Sequence, residues 1–261
     1  MSNIQKKTIV SLIAILVIAS VTIALMFSGC IRPEEAKGVN MPIVLFTDFG
    51  TESYWVPQLK GIIYSVNSDA KVIDATHEIT AFDIREGAFL LYLAAKEFPE
   101  DVVFIGIVAP GDPKEERRIV LTTDKGQIFV GPDNGLFTYI IRNFEVKSVH
   151  QITNQSLFAK PINSLFTTQI MGTIGALIAS GYAPDDVGPA RDDPYTFDVR
   201  EASIIEGKLV GEVVLIDHFG NCITNIPRNM SEEFGLKSGD ELVIATPYGP
   251  TLFTLTSWAF L

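Results

Sequence analysis

A chain of 261 residues with 31 Asp and Glu against 20 Lys and Arg carries a formal net charge of −11, a balance that argues against nucleic acid and anionic membrane surfaces as partners. Its 2 cysteines, Cys30 and Cys222, exclude a disulfide framework. No histidine and cysteine cluster has metal-ligand spacing, so no metal is expected.

The amino terminus reads as a targeting segment. Lys6 and Lys7 precede an uncharged apolar run from Thr8 to Phe27, followed by Ser28, Gly29 and Cys30. A basic region, an apolar region and a small-residue site form a secretory signal, and a cysteine directly after Ser-Gly reads as a lipidation site. Residues 1–40 are therefore expected to be a lipoprotein-type signal and tether, with Cys30 lipidated. An uncleaved transmembrane anchor is the alternative, because about 20 apolar residues span a bilayer. Both place the remainder on the extracytoplasmic face of a membrane. That remainder fits one large domain or two modest ones.

Pro42–Phe46 is a continuous apolar run ending in Thr-Asp-Phe-Gly, the pattern of a buried strand. Tyr54–Val66 has helical spacing. Lys71–Ala75 is a short strand, and Asp83–Phe98 is a helix with Ile84, Ala88, Leu91 and Ala95 on one stripe. Val102–Val108 is a third apolar strand. Ile119–Thr123 and Ile128–Gly131 read as a hairpin around Lys125-Gly126, and Ile170–Ser180 as a helix stopped by Gly181. Strands alternating with helices predict an α/β domain over 41–190 with a mostly parallel sheet flanked by helices. The charged stretch Ala190–Ala202 separates it from strand-like segments at Lys208–Ile216, Asn221–Ile226, Glu241–Ala245 and Thr251–Thr256. These predict a small all-β, barrel-like domain over 203–261, in which Cys222 is a buried hydrophobe.

Three segments in fixed order carry the chemical signal: TDFG at Thr47–Gly50, GPDNGL at Gly131–Leu136 and IDHFGNCITNI at Ile216–Ile226. Each sets a small polar group beside glycine at the end of an apolar run, as a strand end does when it meets a small polar ligand. Together they resemble the S-adenosylmethionine (SAM) hydroxide adenosyltransferases and their fluorinase and chlorinase relatives, from Met41 onward. The resemblance implies a homotrimer that binds SAM between the amino domain of one subunit and the carboxyl domain of the next. It implies an in-line displacement at the ribose 5′ carbon by water, hydroxide or halide, with methionine leaving. SAM is substrate or ligand, and no separate cofactor is implied. By the same resemblance Asp48 binds the ribose hydroxyls and Phe82, in THEITAFD, lies near the ribose. Asp217 and Asn221 contact the methionine ammonium and adenine, and Trp258 stacks on adenine. Read alone, Asp48 is equally a helix cap, Phe82 core, and Asp217 to Asn221 a tight turn. Asp133 and Asn134 read as structural turn residues.

The same resemblance exposes departures. The hydroxide-transferring branch has an Asp, Arg and His triad. Here Ala109 stands for the Asp, and Asp112 lies three residues on in a loop that would need reshaping. Arg117, within Glu116-Arg117-Arg118, is the better match for the Arg, and Thr167 stands for the His. Losing acid–base assistance typically costs roughly 100- to 10,000-fold. Thr168 fills the slot in which the halogenase branch holds its halide, although either threonine also reads as a helix cap. Family members continue past the Trp258 position, so this sequence, ending at Leu261, predicts an incomplete barrel. The expectation is a family member of slow or absent turnover giving adenosine and methionine. The alternatives are a non-catalytic membrane-tethered protein that binds SAM or adenosine, and a SAM-dependent halogenase.

Overall fold

The computed structural model describes residues 40–111, 116–246 and 249–254. Its larger sheet is built from β1 (Ile43–Thr47), β2 (Val72–Thr76), β3 (Val103–Ile107), β4 (Arg118–Thr123), β5 (Ile128–Pro132) and β6 (Val146–Gln151), in the order β2-β1-β3-β5-β4-β6. Four neighbours, β2, β1, β3 and β5, run parallel, while β4 is antiparallel to both β5 and β6. Every residue of β1, β3 and β5 is buried. Helices cover both faces, and a strand buried on two sides is apolar throughout.

Those helices are α1 (Trp55–Val66), α2 (Ile84–Glu97), α3 (Thr138–Asn143) and α4 (Thr167–Ala179). Alternate residues of β1 feed opposite cores, as the two-residue period of a strand requires. Ile43 and Leu45 join Leu59 and Ile63 of α1 and Ile170 and Ile174 of α4. Val44 and Phe46 join Leu91 and Ala95 of α2 and Ile140 of α3. Helix α4 lies close on the sheet because Gly175 faces it: a Cβ there would stand 2.4 Å from Ile105 Cδ1. That seating fixes where the amino end of α4 projects.

The small antiparallel elements after the sheet are β7 (Ser203–Ile205), β8 (Lys208–Val210), β9 (Val213–Ile216), β10 (Cys222–Thr224), α5 (Arg228–Glu233), β11 (Glu241–Thr246) and β12 (Gly249–Thr254). They pair as three separate hairpins, β7 with β8, β9 with β10, and β11 with β12. The run expected as one strand over Lys208–Ile216 is therefore two. A two-residue turn at Glu206-Gly207, both at positive φ, closes the first hairpin as such turns require. Cys222 is half-buried, not core, because these strands cover little of one another.

Two elements of the larger sheet and its helices carry no signal in the sequence. Helix α3 has 6 residues, too few to establish a period. Strand β6 is an edge strand with one buried residue, so it shows no apolar run. No helix among the described residues is long and apolar enough to cross a membrane. The apolar run Thr8–Phe27, Cys30, Asp112 and Trp258 lie outside those residues.

Candidate active site

The chain leaves β1 toward one neighbour, β2, and returns on its other side as β3. Such a reversal opens a crevice beyond the carboxyl ends of the strands. Here it holds a cavity of about 440 Å³, within the roughly 300–1,000 Å³ of small-molecule sites. Asp48 and Phe49, just past β1, form one wall, and Ile107, Pro110 and Gly111, at the end of β3, form the next. Ala81 and Phe82 come from the segment before α2, Trp55 from the start of α1, and Phe166, Thr167 and Thr168 from the start of α4.

Asp48 is held by backbone. Its Oδ2 accepts from the Phe82 N–H at 2.9 Å and the Ala109 N–H at 3.0 Å, while Oδ1 accepts no bond among the described residues. Phe82 and Ala109 have φ of 66° and 46°. A left-handed conformation at such residues costs about 1–3 kcal/mol each and persists where the surroundings enforce it. Both strained residues are thus the ones whose amides orient this carboxylate. Asp48 does not cap α1, whose preceding residue is Tyr54 with no side-chain cap. Nor is Phe82 core: it is 76 % exposed.

An aromatic wall was not visible in the sequence. Trp55 meets Phe49 with ring centroids 6.3 Å apart and Phe166 edge-on at 6.0 Å. Only the fold brings these residues together, and they offer flat apolar surface to a base or to an alkyl chain.

Arg117, the residue matched to the catalytic arginine, is not brought to the cavity. Its guanidinium pairs with the buried Asp133 carboxylate and with Asp193 at 2.9 Å, and Nη2 donates to the Asp193 carbonyl at 2.6 Å. This ties β4 and β5 to the segment after Ala190. Successive strand residues face opposite sides, so Arg118 points the other way. Asp193 is held below the ordinary carboxylate value of 3.8, by Arg191 first and by Arg117 next. Arg117→Ala is expected to destabilise the protein by about 1–3 kcal/mol, since a buried carboxylate loses its cation, and to leave ligand affinity unchanged. A depressed carboxylate contributes stability above its ordinary value and loses it as acid protonates the folded form. The gap between wild type and variant in urea unfolding should therefore narrow below pH 3.8.

Neither threonine caps α4. The helix start is closed by the Phe166 N–H donating to Gln169 Oε1 at 3.0 Å. Thr167 and Thr168 are buried, and their hydroxyls are engaged elsewhere. Thr168 donates to Gln58 Oε1 at 3.1 Å. Thr167 donates to Glu116 Oε2 at 2.9 Å. Asn134 Nδ2 donates to the Val108 carbonyl at 2.9 Å and bridges the ends of β5 and β3.

Asp217 and Asn221 form a closed turn between β9 and β10. Asp217 Oδ1 accepts from the Phe219 and Asn221 N–H groups at 2.9 and 2.8 Å, and Oδ2 from Asn221 Nδ2 at 2.7 Å. The Asn221 side chain, first among these donors, holds the Asp217 carboxyl below its usual range. Within one chain this turn is not part of the cavity wall.

The N-terminal domain model of the SAM hydroxide adenosyltransferase family matches residues 43–188, and the C-terminal domain model matches residues 211–254. The (R)-S-adenosyl-L-methionine hydrolase of Methanocaldococcus jannaschii is 34 % identical over 208 residues, covering 77 % of this chain and 72 % of that protein. A fluorinase of an Actinoplanes species is 27 % identical over 223 residues, 75 % of each. The crystal structure of an uncharacterized conserved protein from Thermotoga maritima superposes with a TM-score of 0.75 at 29 % identity, covering 82 % of each chain.

Proposed function

The chain belongs to the SAM hydroxide adenosyltransferase family, and on that footing we propose that it holds SAM in the cavity beyond β1 and β3 and transfers the adenosyl group to water. The products are adenosine and methionine. One observation carries this reading: Asp48 faces the cavity with Oδ2 fixed by two strained amides, which leaves a charged, oriented acceptor for a ribose diol. The sulfonium leaves as a neutral thioether, so departure is intrinsically easy. The protein's task is to align and partly desolvate the water and to remove its proton.

A second reading, binding without turnover, is favoured by the Ala109 methyl and the Thr167 hydroxyl, neither of which is a base of suitable pKa. The halide reading is weakened by Thr168, whose proton goes to Gln58 and is not offered to an anion. We extend the proposal to a homotrimer in which the Asp217 to Asn221 turn of one subunit closes the cavity of another. The exposed Phe219 and Ile216 beside that turn suit a covered surface. We also propose tethering on the extracytoplasmic face through Cys30.

The test is incubation of the full chain with SAM, with and without chloride, followed by chromatography for nucleosides and calorimetry for binding. Adenosine is expected. Heat without product selects the second reading, a halogenated nucleoside the third, and neither heat nor product sinks all three.

A further inference from the structure

Beside the cavity lies a carboxylate that the mechanism has not used. The Glu116 side chain is 5 % exposed and is held on three sides. Its Oε1 accepts from the Gly111 N–H at 2.8 Å. Its Oε2 accepts from the Thr167 hydroxyl at 2.9 Å and lies 3.3 Å from Arg118 Nε. Gly111 and Thr167 both line the cavity, so the carboxylate stands one hydroxyl away from it. Burying a charged group is costly unless it is paired and hydrogen-bonded; here every partner also fixes its aim.

We propose that Glu116 is the proton acceptor of this site, acting through Thr167, and that it replaces the carboxylate absent at Ala109. This rests on the SAM-hydrolysis reading above. A water hydrogen-bonded to Thr167 Oγ1 attacks the ribose 5′ carbon. The C5′–O bond forms as the C5′–S bond breaks, and its electron pair stays on sulfur as neutral methionine. The water's proton passes to Thr167 Oγ1 while the Thr167 proton passes to Glu116 Oε2. Threonine ends unchanged, Glu116 ends as a neutral acid, and adenosine is released. Glu116 then returns its proton to solvent. A threonine that only relays a proton needs no unusual acidity. Thr167 meets the reacting water and is the catalytic group; Glu116 acts through it.

The charged group facing Glu116 from β4 is Arg118, with the uncharged Gly111 amide and the Thr167 hydroxyl from the β3 end and α4. Among the described residues no second carboxylate is bonded into the cluster. Asp48 is a second carboxylate in the cavity wall, so an acid limb in the rate is assigned to Glu116 only by its loss in Glu116→Gln.

The experiment measures SAM affinity by calorimetry and adenosine release against pH for the full chain and four variants. Glu116→Gln and Thr167→Val are each expected to bind SAM like wild type, to release adenosine roughly 100-fold more slowly and to lose the acid limb. Glu116→Asp and Thr167→Ser, which keep the carboxylate and the hydroxyl, should recover part of the rate. Thr167→Val also guards against a Glu116→Gln chain that fails to fold, since valine matches threonine in shape. If Glu116→Gln or Thr167→Val releases adenosine at the wild-type rate with an unchanged pH profile, the relay is overturned and SAM hydrolysis stands. Wild-type protein that binds SAM without product, or ignores it, overturns the hydrolysis reading and the relay with it.

Discussion

Asp48→Ala is expected to weaken SAM binding roughly 100- to 10,000-fold. Two ribose hydroxyls donating to a charged carboxylate contribute about 1.5–3 kcal/mol each, and every 1.4 kcal/mol or so is tenfold in affinity. Stability should change far less. Removing the carboxylate releases the Phe82 and Ala109 amides, which lose a partner at 2.9 and 3.0 Å. It also frees both residues to leave φ of 66° and 46°, and the strain relieved, about 1–3 kcal/mol each, offsets the lost bonds. Asp48→Asn separates charge from shape. Its carbonyl still accepts from the two amides, but the diol then meets a neutral amide, so an intermediate loss of roughly 10- to 100-fold is expected. Calorimetry reads the affinity and thermal unfolding reads the fold. An Asp48→Ala protein that binds SAM at wild-type affinity would remove the ribose from this carboxylate and with it the main support for the proposed function.

What the sequence discloses here divides along physical lines. Runs such as Val103–Ile107 announce themselves because burial on both faces leaves no room for polar residues. Asp48 is legible for a related reason: it is the first charged side chain after such a run, and the sheet order then makes that position the crevice. The short exposed elements α3 and β6 have no such signature. Neither does the site's second layer. Glu116 sits in a charged string, Glu-Arg-Arg, whose members look alike in sequence and diverge in space. Arg117 turns to Asp133 and Asp193, whereas Arg118, one residue on, faces the other side of the strand and meets Glu116. The motif match took Arg117, whose guanidinium turns to Asp133 and Asp193 and not to the cavity wall, because spacing cannot tell which way a side chain points across a one-residue insertion. The Thr167 to Glu116 bond spans 51 positions and depends on the depth at which α4 seats, which Gly175 sets through its approach to Ile105.

Ala109→Asp combined with Thr167→His should raise adenosine release by up to roughly 100-fold, because positioned acid–base groups supply roughly 100- to 10,000-fold and the relay through Thr167 already provides the lower end of that range. The backbone already suits the first change. Ala109 has φ of 46°, a region in which Asp and Asn are enriched and alanine is disfavoured, so the introduced aspartate enters a conformation made for it. The main-chain N–H at this position can continue to donate to Asp48, because that bond does not involve the side chain being replaced. The second change places an imidazole where the Thr167 hydroxyl lies 2.9 Å from Glu116 Oε2. One ring nitrogen can donate to that carboxylate and the other can face the cavity, which gives a base oriented by an acid. Histidine is larger than threonine at a buried position, and overpacking costs about 1–3 kcal/mol. The adjoining cavity of about 440 Å³ gives the ring a direction in which to extend, so a lowered but cooperative unfolding temperature is expected. Ala109→Asp alone should be close to neutral in rate, since a carboxylate without an imidazole has nothing to orient. A double variant that binds SAM at wild-type affinity and turns it over no faster would mean that proton removal does not limit the proposed turnover and that alignment of the water at the ribose carbon does.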